Sequence, residues 1–259
     1  MSYCFDAEDA DLVLRSSDSK EFWVHRIILT IASPVFRDMF AFPQPHDSAH
    51  KLPHVDLPET ADVLGILLLY IYPVPSPKIE DFVTLSNVLA SAEKYAAEGV
   101  ISRLRTILVS PHFLDLNPLR VYAIACRWSF LDEAKFASTY TVYIDLAKQG
   151  EECMGDMKYM SGLDYHRILT LQRTRIDMIQ EVVTEQCYPT GCCSGYVDIK
   201  RLLVKEMSRK KLDVFNFSLV LETEKFKPCR SVACPLGRAK VEEFVKGVMT
   251  SLDDLPSSI

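Results

Sequence analysis

Between residues 11 and 24 apolar and polar positions alternate with a period of two. Leu12 and Leu14 share one face of an extended segment over 11–15, and Phe22 and Val24 share one face of a second over 21–24. The intervening Ser16-Ser17-Asp18-Ser19 carries short side chains that bond their own backbone, the chemistry of a turn. A β-hairpin is predicted. After His25 the period becomes helical, with Ile27, Ile28, Ile31 and Ala32 clustered on one side and expected to face inward. Ser33-Pro34 then restarts the chain: Ser33 is a good N-cap, and Pro34 suits the first helical position, where its missing N–H costs nothing. In the second helix Val35, Phe36, Met39 and Phe40 form a single stripe predicted to be buried. A lone hairpin is marginal in water, so these helices are expected to pack on it.

Further along, 43–48 is a polar loop bearing Pro43 and Pro45, and 55–57 reads as a short strand closed by Pro58. Thr60 can cap the helix that follows. Val63, Leu64, Ile66, Leu67, Leu68 and Ile71 make that helix apolar nearly all round, as in the middle of a domain. Pro73, Pro75 and Pro77 force an extended loop. Helical periodicity resumes through Phe82, Leu85, Leu89, Ala92 and Tyr95, and again through Val100, Leu104 and Leu108. Asn117-Pro118 is a second cap and first-turn pair, opening a helix through Tyr122, Ala123, Ala125 and Cys126. Helix continues over 131–146, and another starts near Asp164 with Ile168, Leu169, Ile176, Ile179 and Val183 as its apolar positions. The expected organisation is α+β: a small sheet clasped by helices over 1–111, an all-helical region over 112–185, and a cysteine-bearing helical tail over 186–259.

Asp11, the run Phe22-Trp23-Val24-His25, Leu29, Ser33, Phe36 and Met39-Phe40 resemble the opening motif of the BTB/POZ family. The similarity extends over residues 9–110. Ala10-Asp11-Leu12-Val13-Leu14 with Val24-His25-Arg26 is most similar to the family's fungal branch, and 89–95 resembles the helical pair that closes the domain. The helices beyond it resemble the BACK region that follows BTB domains in many adaptor proteins. The resemblance implies a protein-docking scaffold, acting by self-association or by recruiting a cullin-type ubiquitin ligase. It also implies that Asp11, His25, Ser33, Phe36 and Met39 serve the fold itself. Two departures bear on the choice. About eight residues precede the first strand, too few for the extra N-terminal helix of strand-swapped dimers in zinc-finger transcription factors. After Phe40, Ala41-Phe42-Pro43-Gln44-Pro45 lacks the hydrophobic-x-Glu element often found in cullin-binding members.

The composition, 48% hydrophobic and 25% charged over 259 residues, is that of a globular protein with ample core material. No window reaches 18 uninterrupted apolar residues and the first residues lack the basic and apolar parts of a signal peptide, so the expected setting is intracellular, cytoplasm or nucleus, without membrane insertion. A net charge of −6 argues against a broad phosphate-binding surface, and Arg209-Lys210-Lys211 is read as a solvated helix end.

Of the 8 cysteines, five lie beyond residue 186. Cys187 and Cys192, with Cys193 adjacent, and Cys229 and Cys234 form two pairs with four residues between partners. Such a turn can offer two thiolates to a tetrahedral ion, so the four residues are candidate ligands of a structural zinc and would make folding of the tail metal-dependent. The competing reading takes them as small buried hydrophobes or free thiols. A zinc-dependent transcriptional regulator is the function that the first reading would support. In a reducing compartment a disulfide framework is not expected.

The sequence has no phosphate-binding glycine loop, nucleophile elbow or zinc-protease helix, and an enzyme is not expected. His25 near Asp11 is read as structural, His46, His50 and His54 as a solvated loop, and Tyr165-His166-Arg167 as a helix face. Function must then come from surfaces that bind proteins, a second copy or a cullin among them. The large aromatics at the end of the second helix and of the core helix, Phe40, Phe42, Tyr70 and Tyr72, are the candidate anchors.

Overall fold

The computed structural model describes residues 5–42, 52–141, 144, 146 and 155–185. Its contacts divide the chain into two units, Met1–Leu116 and Asn117–Ile259.

In the first unit β1 (Leu12–Arg15) and β2 (Glu21–Val24) pair antiparallel, Leu12 opposite Val24 and Leu14 opposite Phe22. All four of these side chains are buried on the inner face, as the period-two pattern requires. The turn closes through Ser16: its N–H donates to the Lys20 carbonyl at 2.9 Å, and its hydroxyl accepts from the Lys20 N–H at 3.0 Å. The third strand, β3 (His54–Asp56), runs parallel to β1, giving the order β2-β1-β3.

Helix α1 (Arg26–Ala32) and α2 (Pro34–Ala41) follow the hairpin directly. Helix α3 (Ala61–Ile71) is the apolar core helix, with Leu64, Leu67 and Leu68 fully buried. Gly65 faces the hairpin: an added Cβ there would lie 3.4 Å from the Phe22 ring, at van der Waals contact. Helices α4 (Phe82–Lys94), α5 (Glu98–Leu108) and the short α6 (Pro111–Leu116) complete the unit. α6 was not anticipated from the periodicity; Phe113 packs its ring edgewise on Phe82 at 4.9 Å.

Two helix starts are capped from a distance. Asp11, just before β1, accepts the Arg26 N–H of α1 at 2.8 Å, and Asp18 in the hairpin turn accepts the Ala61 N–H of α3 at 2.8 Å. Thr60 occupies the N-cap position of α3 without a side-chain bond, so the cap expected of it is supplied by Asp18. That arrangement holds the Asp18 carboxyl below its ordinary range, the Ser16 and Ala61 hydrogen bonds being the causes.

In the second unit, α7 (Pro118–Arg127) starts as expected, with the Asn117 side chain accepting from the Arg120 N–H at 3.1 Å. It packs against α8 (Leu131–Thr141). The long α9 (Gly162–Glu185) buries Ile168 and Leu171, whereas Leu169, expected on the apolar stripe, is exposed. An α+β fold followed by helices is therefore what the chain adopts. No described helix is long and apolar enough to cross a membrane.

Candidate protein-docking site

Helix α1 carries five aliphatic side chains in seven residues, and only one of them is fully buried: Leu29. Ile27 is 64% exposed and Ile31 80% exposed. The expectation that Ile27 and Ile31 face inward is corrected here. A helix this short, with its inner side already filled by Leu29, has no second apolar surface to receive the opposite side. The two isoleucines stand four residues apart and therefore make one outward stripe.

Beside Ile31 the surface opens into a groove of about 410 Å³. Ile31, Ala32 and Pro34 line one side, Tyr70 and Ile71 at the end of α3 another, and Gly99 and Arg103 of α5 the third. The walls are held rigidly. Ser33 accepts the Phe36 N–H at 3.0 Å, capping α2, and donates to the Tyr95 carbonyl at 2.5 Å. Phe36, fully buried, stacks on Tyr95 with centroids 4.5 Å apart and on Phe40 at 5.8 Å. The Tyr95 hydroxyl donates to Glu59 at 2.6 Å, and Lys94 reaches the other oxygen of that carboxylate at 2.7 Å. Burial, reinforced by Glu59, pushes the Tyr95 phenol far above its usual range.

The aromatic anchors expected from sequence separate into two groups. Tyr70 and Tyr72 are buried, which corrects the idea of them as exposed contacts. Tyr70 donates to the Pro77 carbonyl at 2.9 Å and lines the groove with the Arg103 guanidinium over its ring, 5.9 Å from the centroid. Tyr72 receives the His25 backbone N–H at 2.8 Å. Desolvation raises both phenols above 10, opposed at Tyr70 by Arg103 and at Tyr72 by the His25 bond. Phe40 is half-buried, with the Arg26 guanidinium over its ring at 5.3 Å. Phe42, the C-cap of α2, is 71% exposed.

Of the residues read as belonging to the fold, Phe36 is fully buried and Met39 half-buried. His25 and Asp11 do not form a pair. The His25 Nε2 lies 3.2 Å from Asp9 and its Nδ1 3.2 Å from the Tyr72 hydroxyl, while Asp11 bonds the Arg26 backbone. Nothing in this arrangement presents a base and a nucleophile to a cleft. Among the described residues no group of three or more His, Cys, Asp or Glu could hold a metal ion. Cys187, Cys192, Cys229 and Cys234 lie outside the described residues, as do Cys193, His46 and His50.

Ile27 and Ile31 were the residues that sequence reasoning misplaced. The signal that could have found them is arithmetic: α1 offers more aliphatic side chains than one face of a two-turn helix can bury.

Residues 3–111 match the family model of the BTB/POZ domain, so the first unit carries a BTB/POZ domain, a protein–protein interaction module. No curated protein matches the chain.

Proposed function

We propose that the chain is a non-enzymatic assembly protein whose first unit associates with a second copy, or with a related domain, through the outward face of α1 and the groove beside it. The observation that carries this reading is the stripe of Ile27 and Ile31, exposed on a helix whose inner side is complete. Placing two such aliphatic side chains in water forgoes about 1.5–3 kcal/mol each of burial, which a partner surface recovers. Because Ile31 itself borders the groove, a two-fold axis beside α1 would bring each copy's Ile31 to the other's groove, a self-complementary contact. The contact needs no exchanged strand.

Size-exclusion chromatography with light scattering tests it. The wild-type chain is expected to run as a dimer and Ile27→Asp/Ile31→Asp as a folded monomer; equal mass for both overturns the reading.

A second reading, a substrate adaptor of a cullin-type ubiquitin ligase, is favoured by the exposure of Phe42 just after α2. It predicts co-purification of a cullin that Phe42→Ala abolishes. The three helices α7, α8 and α9 fit a BACK-like extension that would hold the adaptor's substrate. A zinc-dependent regulator built on Cys187, Cys192, Cys229 and Cys234 is judged by metal analysis after dialysis against a chelator: no stoichiometric zinc removes it.

A further inference from the structure

Serine followed by proline occurs three times in the chain, at Ser33, Ser76 and Ser110. The fold treats the three differently. Ser33 is fully buried, and its hydroxyl is engaged by the Phe36 N–H and the Tyr95 carbonyl. Ser110 is half-buried between α5 and α6, its N–H bonded to the Ile107 carbonyl at 3.0 Å and its own carbonyl to the Leu114 N–H at 3.1 Å. Ser76 is exposed in residues 75–80, which form neither helix, strand nor turn; Pro75 and Pro77 on either side of it favour an extended backbone. Tyr72 and Ile79, both buried, pin the chain on either side, and the Pro77 carbonyl accepts from the Tyr70 hydroxyl at 2.9 Å. The serine is thus displayed in a fixed place. Arg103 of α5, 27 residues further along, brings its Nη1 to 3.4 Å from the Ser76 Oγ. The guanidinium is steered there by its Nε, which donates to the Gly99 carbonyl at 3.2 Å. Among the described residues no carboxylate pairs with Arg103.

We propose that Ser76 is a phosphorylation site, modified by a serine kinase that requires a following proline, and that Arg103 receives the phosphate. Such a kinase takes its substrate in extended form, and Pro75 and Pro77 supply that form already ordered. The transfer joins the Ser76 Oγ to the terminal phosphorus of a nucleoside triphosphate and breaks the bond from that phosphorus to the bridging oxygen. The nucleoside diphosphate leaves, and the hydroxyl proton passes to the kinase's base. The product carries about two negative charges and three strong acceptor oxygens where the hydroxyl offered one weak contact. A guanidinium binds two such oxygens side by side, so the 3.4 Å approach becomes a charge-assisted pair between the proline segment and α5. Arg103 and Glu98 are the charged residues lining the groove beside Ile31, so the modification turns that wall from neutral to negative.

The full chain, incubated with ATP, magnesium and a purified proline-directed serine kinase, is expected to take up phosphate at Ser76, mapped by mass spectrometry and lost in Ser76→Ala. Phosphate at Ser33 or Ser110 in place of Ser76, or none at all, overturns the proposal. The role of Arg103 is read by phosphorus NMR of the modified chain. The phosphoserine resonance should titrate about half a unit or more below its usual value of about 6, because a guanidinium favours the doubly ionised form. Arg103→Gln, a change at an exposed position, should return the titration to about 6, and Arg103→Lys should keep part of the lowering because the charge is retained without the fork. Equal titration in the wild-type chain and Arg103→Gln would mean that Arg103 does not hold the phosphate, and the proposal fails.

Discussion

Replacing Ser33 with alanine removes two hydrogen bonds that meet at one oxygen. The first is the cap on α2, where the hydroxyl accepts from Phe36 at 3.0 Å; losing an N-cap of this kind costs about 1 kcal/mol. The second is the donation to the Tyr95 carbonyl at the end of α4, in a place where Ser33 is fully buried. An acceptor stripped of its donor in such a place costs about 1–3 kcal/mol. The sum is about 3 kcal/mol, a large share of the roughly 5–15 kcal/mol that keeps a domain folded. Asp81→Ala provides the comparison, because Asp81 caps α4 through the Thr84 N–H at 2.8 Å on the surface. Urea unfolding read at Trp23 in a Trp128→Phe background should show Ser33→Ala losing two to three times as much stability as Asp81→Ala. If the two losses are equal, the Tyr95 carbonyl does not depend on Ser33 and the reasoning fails.

Ala96 and Ser129 each follow a helix with φ of 49° and 57°, in the left-handed region, and each closes a motif in which the next residue's N–H bonds back across the helix end. Relief of about 1–2 kcal/mol of left-handed strain, less the entropy glycine brings to the unfolded chain, gives Ala96→Gly a net gain of about 0.5–1 kcal/mol; a lower thermal midpoint would contradict it. The phenols of Tyr70, Tyr72, Tyr95 and Tyr122 are all raised above 10, mainly by burial. A raised acid contributes stability that is whole below pH about 10 and is lost as pH climbs toward its folded-state value, so unfolding should set in on the alkaline side and the last tyrosinate absorbance should appear only with it. Titration of every phenol before any loss of helix would refute this. Arg120 and Asp156 pair at 2.6 Å with side chains 20% and 13% exposed, so Asp156→Asn should destabilise the second unit by about 1–3 kcal/mol, visible at Trp128; an unchanged midpoint would remove the pair as a stabilising contact.

The parts of the fold that were legible in the sequence are those settled by neighbours along the chain. The hairpin faces follow from strict alternation, and Ser33 and Asn117 cap helices whose first residue is proline. What was illegible depends on groups that meet only after folding. Thr60 looked like the cap of α3, yet Asp18 provides it from another turn, 43 residues away in the chain. Tyr72 looked like a surface aromatic among prolines, yet the His25 N–H, 47 residues distant, draws its hydroxyl inward. In α1 the difficulty was degeneracy: with aliphatic residues at five of seven positions, periodicity cannot choose which of them faces the hairpin. The exposed pair Ile27 and Ile31, on which the proposed assembly rests, was therefore concealed in an ambiguity that only packing resolves. Phe42 lies just past its helix, beyond the stripe that the core consumes, and is exposed.

The third strand has one further consequence. β3 is three residues long, flanked by Pro53 and, past Leu57, by Pro58. Proline has no N–H to give to an incoming strand, so the rim of the sheet on that side offers scarcely one residue pair of outward-facing backbone before it is interrupted at both ends. A foreign polypeptide cannot be zipped on there by main-chain bonding. Anything that docks at that rim is read by side-chain shape and charge, which makes specificity editable one substitution at a time and spares the rim the indiscriminate stickiness of an open β-edge.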